Sequence, residues 1–277
     1  MKPQSSIAGP QAGSRLPIAH LLGTPLALTT YAELSRYCRE WVTQPGPTAV
    51  EFANTQVVIM RRYQPAFREQ TRVTDCFAPD GMPVVWCVNW RGARLPDRVY
   101  GPTFMRILLH DTPEPFRHYL LGGSRETGER LIAVAQASNP RLRFVGAYHG
   151  PCASDGTLAD PGVIDEINRL SPDFVWVGLG TPKQQAWIHR YKSRIRRGLL
   201  LSVGFALEVN AGIKPDAPPW MQRSGLTWVF RMASEPRRLL PRYLRYNSLF
   251  LFYLVWDSLR GRAFAAAEER PLPSPRP

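Results

Sequence analysis

From Ala49 to Leu207 the chain alternates short apolar runs with longer amphipathic ones, and this alternation narrows the choice of fold more than any other feature. AVEFAN is followed by VVIMRRYQPAFREQ, DCFAPDG, HYLLGG, ETGERLIAVAQAS, LRFVGAY, GVIDEINRL, DFVWVGLG, KQQAWIHRYKSRI and LLLSVGFAL. Strand-length runs separated by helix-length segments read as parallel βαβ units, in which each helix carries the chain back to the same end of a sheet. The expected fold class is therefore α/β: an open, mostly parallel, Rossmann-like sheet flanked by helices, with no internal repeat.

Pro215, Pro218 and Pro219 end the alternation, and Trp220 to Phe264 reads as helical throughout. Four segments are expected: a disordered lead over 1–28, an α/β domain carrying the chemistry over 29–217, a helical appendage over 218–264 and a disordered tail over 265–277. The lead is rich in Ser, Gly, Pro and Gln, and the tail in Pro, compositions that bury little. Thr30 and Glu33 stand at capping-box spacing before LSRYCREWV and mark a first helix. IAHLLGTPLAL is broken by His20, Gly23 and Pro25 with no clean cleavage pattern after it, so it does not read as a signal peptide.

The net charge is +13, and Ile188 to Arg262 holds fourteen Lys and Arg against four acids. Such an excess needs an anionic partner, and nucleic acid, anionic lipid and diphosphate substrates all qualify. Cys38, Cys76, Cys87 and Cys152 lie far apart, without a C-x-x-C pair or a His at ligand spacing, so neither a metal cage nor a disulfide framework is expected. A reducing cytoplasm fits that usage.

Open parallel sheets bind ligands beyond the carboxyl ends of their strands, which directs attention to the residues following each run. Asp80, in FAPDGMPVVW, follows a strand and precedes a helix; it either caps that helix or faces the cleft as a general base. Asn54 is likewise an N-cap or a ligand contact. Arg98, before the helix start at Gly101, is a surface ion-pair partner or a phosphate grip. Gly122 and Gly123 form a strand-to-helix turn whose amides suit an anion. In GLGTPKQQAWIHR, Lys183 and Gln184 occupy a first helical turn, where a lysine is unfavourable to the helix dipole unless an anion binds there; the alternative is a solvated turn. Neither glycine turn is G-x-G-x-x-G, which argues against a nicotinamide fold.

These groups, in this order, resemble the WecG/TagA/CpsF family, glycosyltransferase family 26. The matching text is NTQVV, PDGMPVVW, RVYGP, LLGG, PDFVWVGLGTPKQQAWI, VGFALEVNAG, APPWMQRSGLTWVFR and EPRRLLPRYL, over about residues 45–250. The resemblance implies an inverting transferase that moves a hexose or N-acetylhexosamine-type sugar from a UDP-sugar donor to a polyprenyl-diphosphate-linked saccharide acceptor. Such transfer serves bacterial cell-surface polysaccharide assembly at the cytoplasmic membrane face. It places the base on Asp80, a functional arginine on Arg98 and a polar site residue on Gln184. Arginines of the appendage, closing over the diphosphate, fall on Arg231 and Arg238, with Arg242 near a third position. The chain departs from the family's usual residues at Phe52, Thr103, Gln185, Asp216 and Thr227.

A departing UDP gains negative charge, and with no D-x-D pair in the sequence fixed arginines are expected to balance it, without metal or other cofactor. Arg231 and Arg238, seven residues apart, would share one face of a continuous helix. The run from Leu249 to Trp256 is shorter than the about 20 residues a membrane span needs. Leu249, Phe252, Tyr253 and Trp256 recur at helical spacing among Arg242, Arg245, Arg260 and Arg262, which suits peripheral contact with an anionic membrane surface on its inner face; the alternative is packing on the core. A nucleic-acid-binding protein and a nonenzymatic membrane scaffold are the rival readings. No nucleic-acid recognition motif appears, so nucleic acid is not an expected partner, and a homo-oligomer is compatible with the sequence.

Overall fold

Local signals fix most element boundaries. The computed structural model describes residues 15–110, 115–265 and 268–271. Strands β1 (Arg15–Leu21) and β2 (Thr24–Ala27) form an antiparallel hairpin whose turn, Leu22 and Gly23, takes positive φ. This hairpin replaces the disordered lead expected over 1–28 for its part from Arg15 onward. Leu16, Ile18, Leu21, Leu22 and Leu26 are all buried, enough apolar surface to fix a segment whose two prolines hid its strand pattern. Residues 1–14 lie outside the described residues.

Helix α1 (Tyr31–Trp41) starts at the Thr30–Glu33 capping box, with both reciprocal bonds formed. Strand β3 (Gly46–Ala53) follows, then α2 (Thr55–Tyr63), capped by Asn54. Pro65 breaks the amphipathic run into a separate α3 (Pro65–Gln70). Next come β4 (Cys76–Pro79), α4 (Met82–Trp90), α5 (Gly101–His110) and β5 (Arg117–Gly122). The Ser124-capped α6 (Arg125–Ser138), β6 (Arg143–Tyr148), α7 (Val163–Leu170), β7 (Phe174–Gly178), α8 (Lys183–Tyr191) and β8 (Arg197–Ser202) continue the alternation. The chain then becomes helical in α9 (Ala206–Asn210), α10 (Pro219–Arg223), α11 (Thr227–Ser234) and α12 (Pro236–Leu259).

A last strand, β9 (Glu268–Pro271), pairs antiparallel with β1. It corrects the disordered tail expected over 265–277 for those four residues, because the backbone of β1 offers the ladder partners a free strand lacks. Residues 272–277 lie outside the described residues.

The sheet order is β6-β5-β7-β8-β3-β4-β2-β1-β9. Every pairing from β6 to β2 is parallel, and only the β1 pairings are antiparallel. The α/β fold is thus an open, mostly parallel sheet with C-terminal helices. One core cluster joins α1, α5, α6 and α9 to one face, and two others join α2, α4 and α12, and α7 and α8, to the opposite face. The chain runs outward from β5 to β6 but inward from β7 to β8, so the loops at their carboxyl ends diverge and leave a crevice.

α12 lies along α2. Arg62 grips the buried Asp257 carboxylate at 2.5 and 2.9 Å, and Thr55 donates to Asn247 at 2.9 Å. Among the described residues no helix is long and apolar enough to cross a membrane.

Candidate active site

Two chambers open from the carboxyl edge of the sheet beneath the C-terminal helices. The first, about 310 Å³, is polar: Gly123, Gly180, Thr181, Gln184, Ser202 and Lys214 are among its walls. The second, about 430 Å³, lies between α4, α11 and α12 and is mostly apolar, with Met82, Trp86, Trp228, Tyr243, Tyr246 and Leu251 in its wall. Asn54, Gln56, Asp80, Phe205, Arg231 and Arg242 line both. These shared residues mark the junction of the polar and the apolar chamber.

Asp80 is placed there by β4, its N–H donating to Ala53 O at 3.0 Å. It does not cap α4, whose N-terminus has no side-chain cap; the Gly101 N–H at the start of α5 instead acts on its carboxyl to favour the charged form. Burial pushes its acid up to about 6, against the opposing pull of Arg98, Arg231 and that amide. Gly81, at φ 131°, lets the chain turn away into α4 behind it.

Arg98 is buried, stacks over Tyr100 at 4.4 Å and donates to Thr227 Oγ1 at 2.7 Å, tying the α/β body to α11. The Tyr100 hydroxyl donates to Asp216 at 3.1 Å. Thr227 and, through Tyr100, Asp216 thus brace this corner of the apolar chamber.

Arg231 and Arg238 do not share one helix. Glu235 precedes Pro236 and leaves the helical region, at φ −137° and ψ 62°, which separates α11 from α12. Both side chains nevertheless reach the polar chamber. Arg231 lies over the Phe205 ring at 3.5 Å, while Arg238 is held by Glu235 at 2.5 Å, and Lys214 bridges Glu235 and Glu208. Arg242 lines both chambers, its Nε without a hydrogen-bond partner, and burial lowers its pKa.

Gln184 is buried in the polar chamber, accepting from Gly180 N–H at 3.1 Å and donating to Ser202 O at 3.3 Å, so it clasps the ends of β7 and β8. Asn54 caps α2 through Val57 N–H at 3.2 Å and also faces the junction. Gly123 lines the polar chamber, but Gly122 does not; a Cβ on Gly122 would meet the Gly178 carbonyl at 2.8 Å, so its role is the close approach of β5 and β7. Lys183 is also outside both chambers, its Nζ donating to Cys152 O at 2.8 Å.

The apolar stripe of α12 divides. Leu249 and Tyr253 turn inward against the core beside α2, Tyr253 stacking on Tyr63, whereas Phe252 and Trp256 are exposed. The outward face adds Leu244, Leu251, Val255 and Leu259, which helical spacing alone does not separate from the inward ones. Among the described residues no cluster of three His, Cys, Asp or Glu could hold a metal ion.

One buried acid escaped the sequence reading. Glu51, 2% exposed on β3, lines the polar chamber and accepts from Gln185 Nε2 at 2.9 Å. Its signal was a lone charge inside the apolar run AVEFA. Burial pushes its pKa up to about 8, partly opposed by the Ser202 hydroxyl and the Gln185 amide. A raised carboxyl pKa stabilises the fold fully below the unfolded value and loses that contribution as pH climbs through about 8. Glu51→Gln is therefore expected to melt like the unaltered protein at acid pH and to be more stable above pH 8, by roughly a few kcal/mol. Equal melting curves at both ends of that range would contradict the buried neutral acid.

Residues 19–264 match the Glycosyl transferase WecG/TagA/CpsF family. An N-acetylglucosaminyldiphosphoundecaprenol N-acetyl-beta-D-mannosaminyltransferase of Bacillus subtilis (strain 168) is 29% identical over 161 residues, 58% of this chain and 61% of the relative's length. A protein of the same name from Staphylococcus aureus (strain MRSA252) is 28% identical over 188 residues, covering 68% of this chain and 72% of the relative.

Proposed function

The chain belongs to the Glycosyl transferase WecG/TagA/CpsF family, and from that premise we propose that it moves a hexose or N-acetylhexosamine-type sugar from a UDP-sugar to a polyprenyl-diphosphate-linked saccharide, with inversion. The observation that carries this reading is Asp80 at the meeting point of a polar and an apolar chamber. The polar chamber suits a nucleotide sugar, and the aromatic one the lipid-proximal part of the acceptor. The acceptor class follows the relatives, whose name specifies a sugar on diphosphoundecaprenol.

In the proposed step the acceptor hydroxyl gives its proton to the Asp80 carboxylate as its oxygen bonds to the anomeric carbon. The anomeric C–O bond to the diphosphate breaks on the opposite face, and its electron pair leaves with UDP. Arg231, Arg238 and Arg242 supply the positive charge that stabilises the leaving diphosphate, and Arg98 holds the Asp80 corner. We extend the proposal to independence from metal, since these guanidinium groups supply charge where a divalent ion otherwise would. The site of action is the inner face of the cell membrane, where the protein is peripheral and meets a lipid-linked substrate from the cytoplasm.

Incubation with a panel of UDP-sugars and a synthetic polyprenyl-diphosphate sugar, with released UDP as readout, tests the reading. UDP release that needs both acceptor and enzyme and persists in chelator is the expected result. Loss of turnover in chelator, restored only by a divalent ion, would remove metal independence. A protein that binds vesicles but leaves every UDP-sugar intact would be a scaffold.

A further inference from the structure

The α/β body carries an apolar surface that the C-terminal helices do not account for. Trp86 and Trp90, one turn apart on α4, are 55% and 76% exposed. Single exposed apolar side chains are ordinary, but a contiguous exposed apolar patch marks an interaction surface. Both lie beside α12. Trp86 shares the wall of the apolar chamber with Leu251, and Trp90 lines a small surface pocket with Ser258 and Gly261 at the end of α12. Ser258 is within one turn of Val255 and next to Leu259, itself 81% exposed, so the two tryptophans extend the outward face of α12.

The fringe of this surface is cationic. Arg91 lies over the Phe264 ring at 5.3 Å, Phe264 meets Trp90 edge-on, and Arg260 lies over Trp256 at 3.8 Å. Arg94 and Arg262 are exposed nearby in sequence. The one acid of this stretch of α12, Asp257, is buried and paired with Arg62. Aromatic side chains interleaved with arginines, and no exposed carboxylate on that part of the helix, match an anionic headgroup layer over an apolar interior.

We propose that α4 is a second membrane-seating element: Trp86 and Trp90, together with the outward face of α12, seat the mouth of the apolar chamber on an anionic lipid surface. The choice of lipid as occupant rests on the acceptor proposed above. Seating on two sides of the mouth would let a polyprenyl-diphosphate saccharide enter from the bilayer plane toward Asp80 without leaving the lipid.

The test measures vesicle binding with no substrate present, so that its outcome is independent of transfer. The full-length protein and its Trp90→Ala variant are titrated with phosphatidylcholine vesicles, with and without phosphatidylglycerol, and with brominated lipids that quench indole fluorescence. Trp90 lines neither catalytic chamber, so transfer to a water-soluble short-chain acceptor should be unchanged in the variant. Partition into anionic vesicles is expected to weaken roughly ten-fold, with part of the bromolipid quenching lost. A Leu259→Ser variant should show a comparable loss. Unchanged partition and quenching in Trp90→Ala, alongside weakened Leu259→Ser, would leave α12 as the sole seat and overturn the proposal. So would a lipid-free dimer that Trp90→Ala converts to monomer, since the surface would then belong to a second copy of the chain.

Discussion

Asp80→Asn is expected to lower the turnover number by about 10²–10⁴-fold while changing UDP affinity by less than about two-fold. The substitution keeps the shape of the side chain and removes only its capacity to take a proton. In the proposed mechanism UDP binding draws on the guanidinium groups and the polar chamber, which the change leaves in place. The same carboxylate predicts a pH profile. Its acid is pushed up to about 6, and the base form is the active one, so the rate should climb about ten-fold per unit below that value and level above it. In Asp80→Asn that acid limb should vanish. A variant with an unchanged rate, or one that retains the limb, would assign the proton to another group.

Arg231→Ala is expected to cost about 10²–10³-fold in turnover, with Arg231→Lys recovering only part of it. Arg231 lines both chambers and is stacked on Phe205, which fixes the plane of its fork before any substrate arrives. A lysine restores the charge but not the stacked plane. Arg238 is already held by Glu235, so Arg238→Ala should cost less than Arg231→Ala. The measurement is turnover beside the inhibition constant for UDP in each variant. An Arg231→Ala enzyme within two-fold of the unaltered turnover would exclude this side chain from stabilising the leaving group. Because Arg231 also pulls the Asp80 acid down, its removal should move the acid limb to higher pH.

The sheet was legible because its central strands are buried on both faces and read as near-continuous apolar runs, FVWVG and RGLLLS among them. The hairpin was not, since Pro17, Gly23 and Pro25 interrupt a pattern whose burial depends on neighbours distant in sequence. Asp80, Arg98 and Gln184 follow strands or precede helices, so position alone drew attention to them. The structure brings Asp80 and Arg98 to the apolar chamber and Asp80 and Gln184 to the polar one. Arg231 and Arg238 were expected on one helical face and instead converge across the bend at Glu235. No periodicity could reveal that convergence, because it depends on how α11 and α12 cross the body. Trp86 and Trp90 escaped for a related reason: MPVVWCVNW is apolar except for Asn89 and reads as an interior helix, and only the assembled molecule shows which side stays open.

The ladder of β9 on β1 gives the helical region a second attachment. The chain leaves the body at α10, passes through α12 and returns where Leu22 N–H donates to Ala263 O and His20 meets Glu268 at 3.1 Å. What looks like a trailing tail is a buckled strap, and cutting it off at Pro218 would do more than delete helices. It would strip the outer rung from β1 and bare a row of unpaired peptide groups to neighbouring molecules. Shortened proteins of that kind should clump in solution, and substitutions of single side chains are the safer instruments for asking what the strap does.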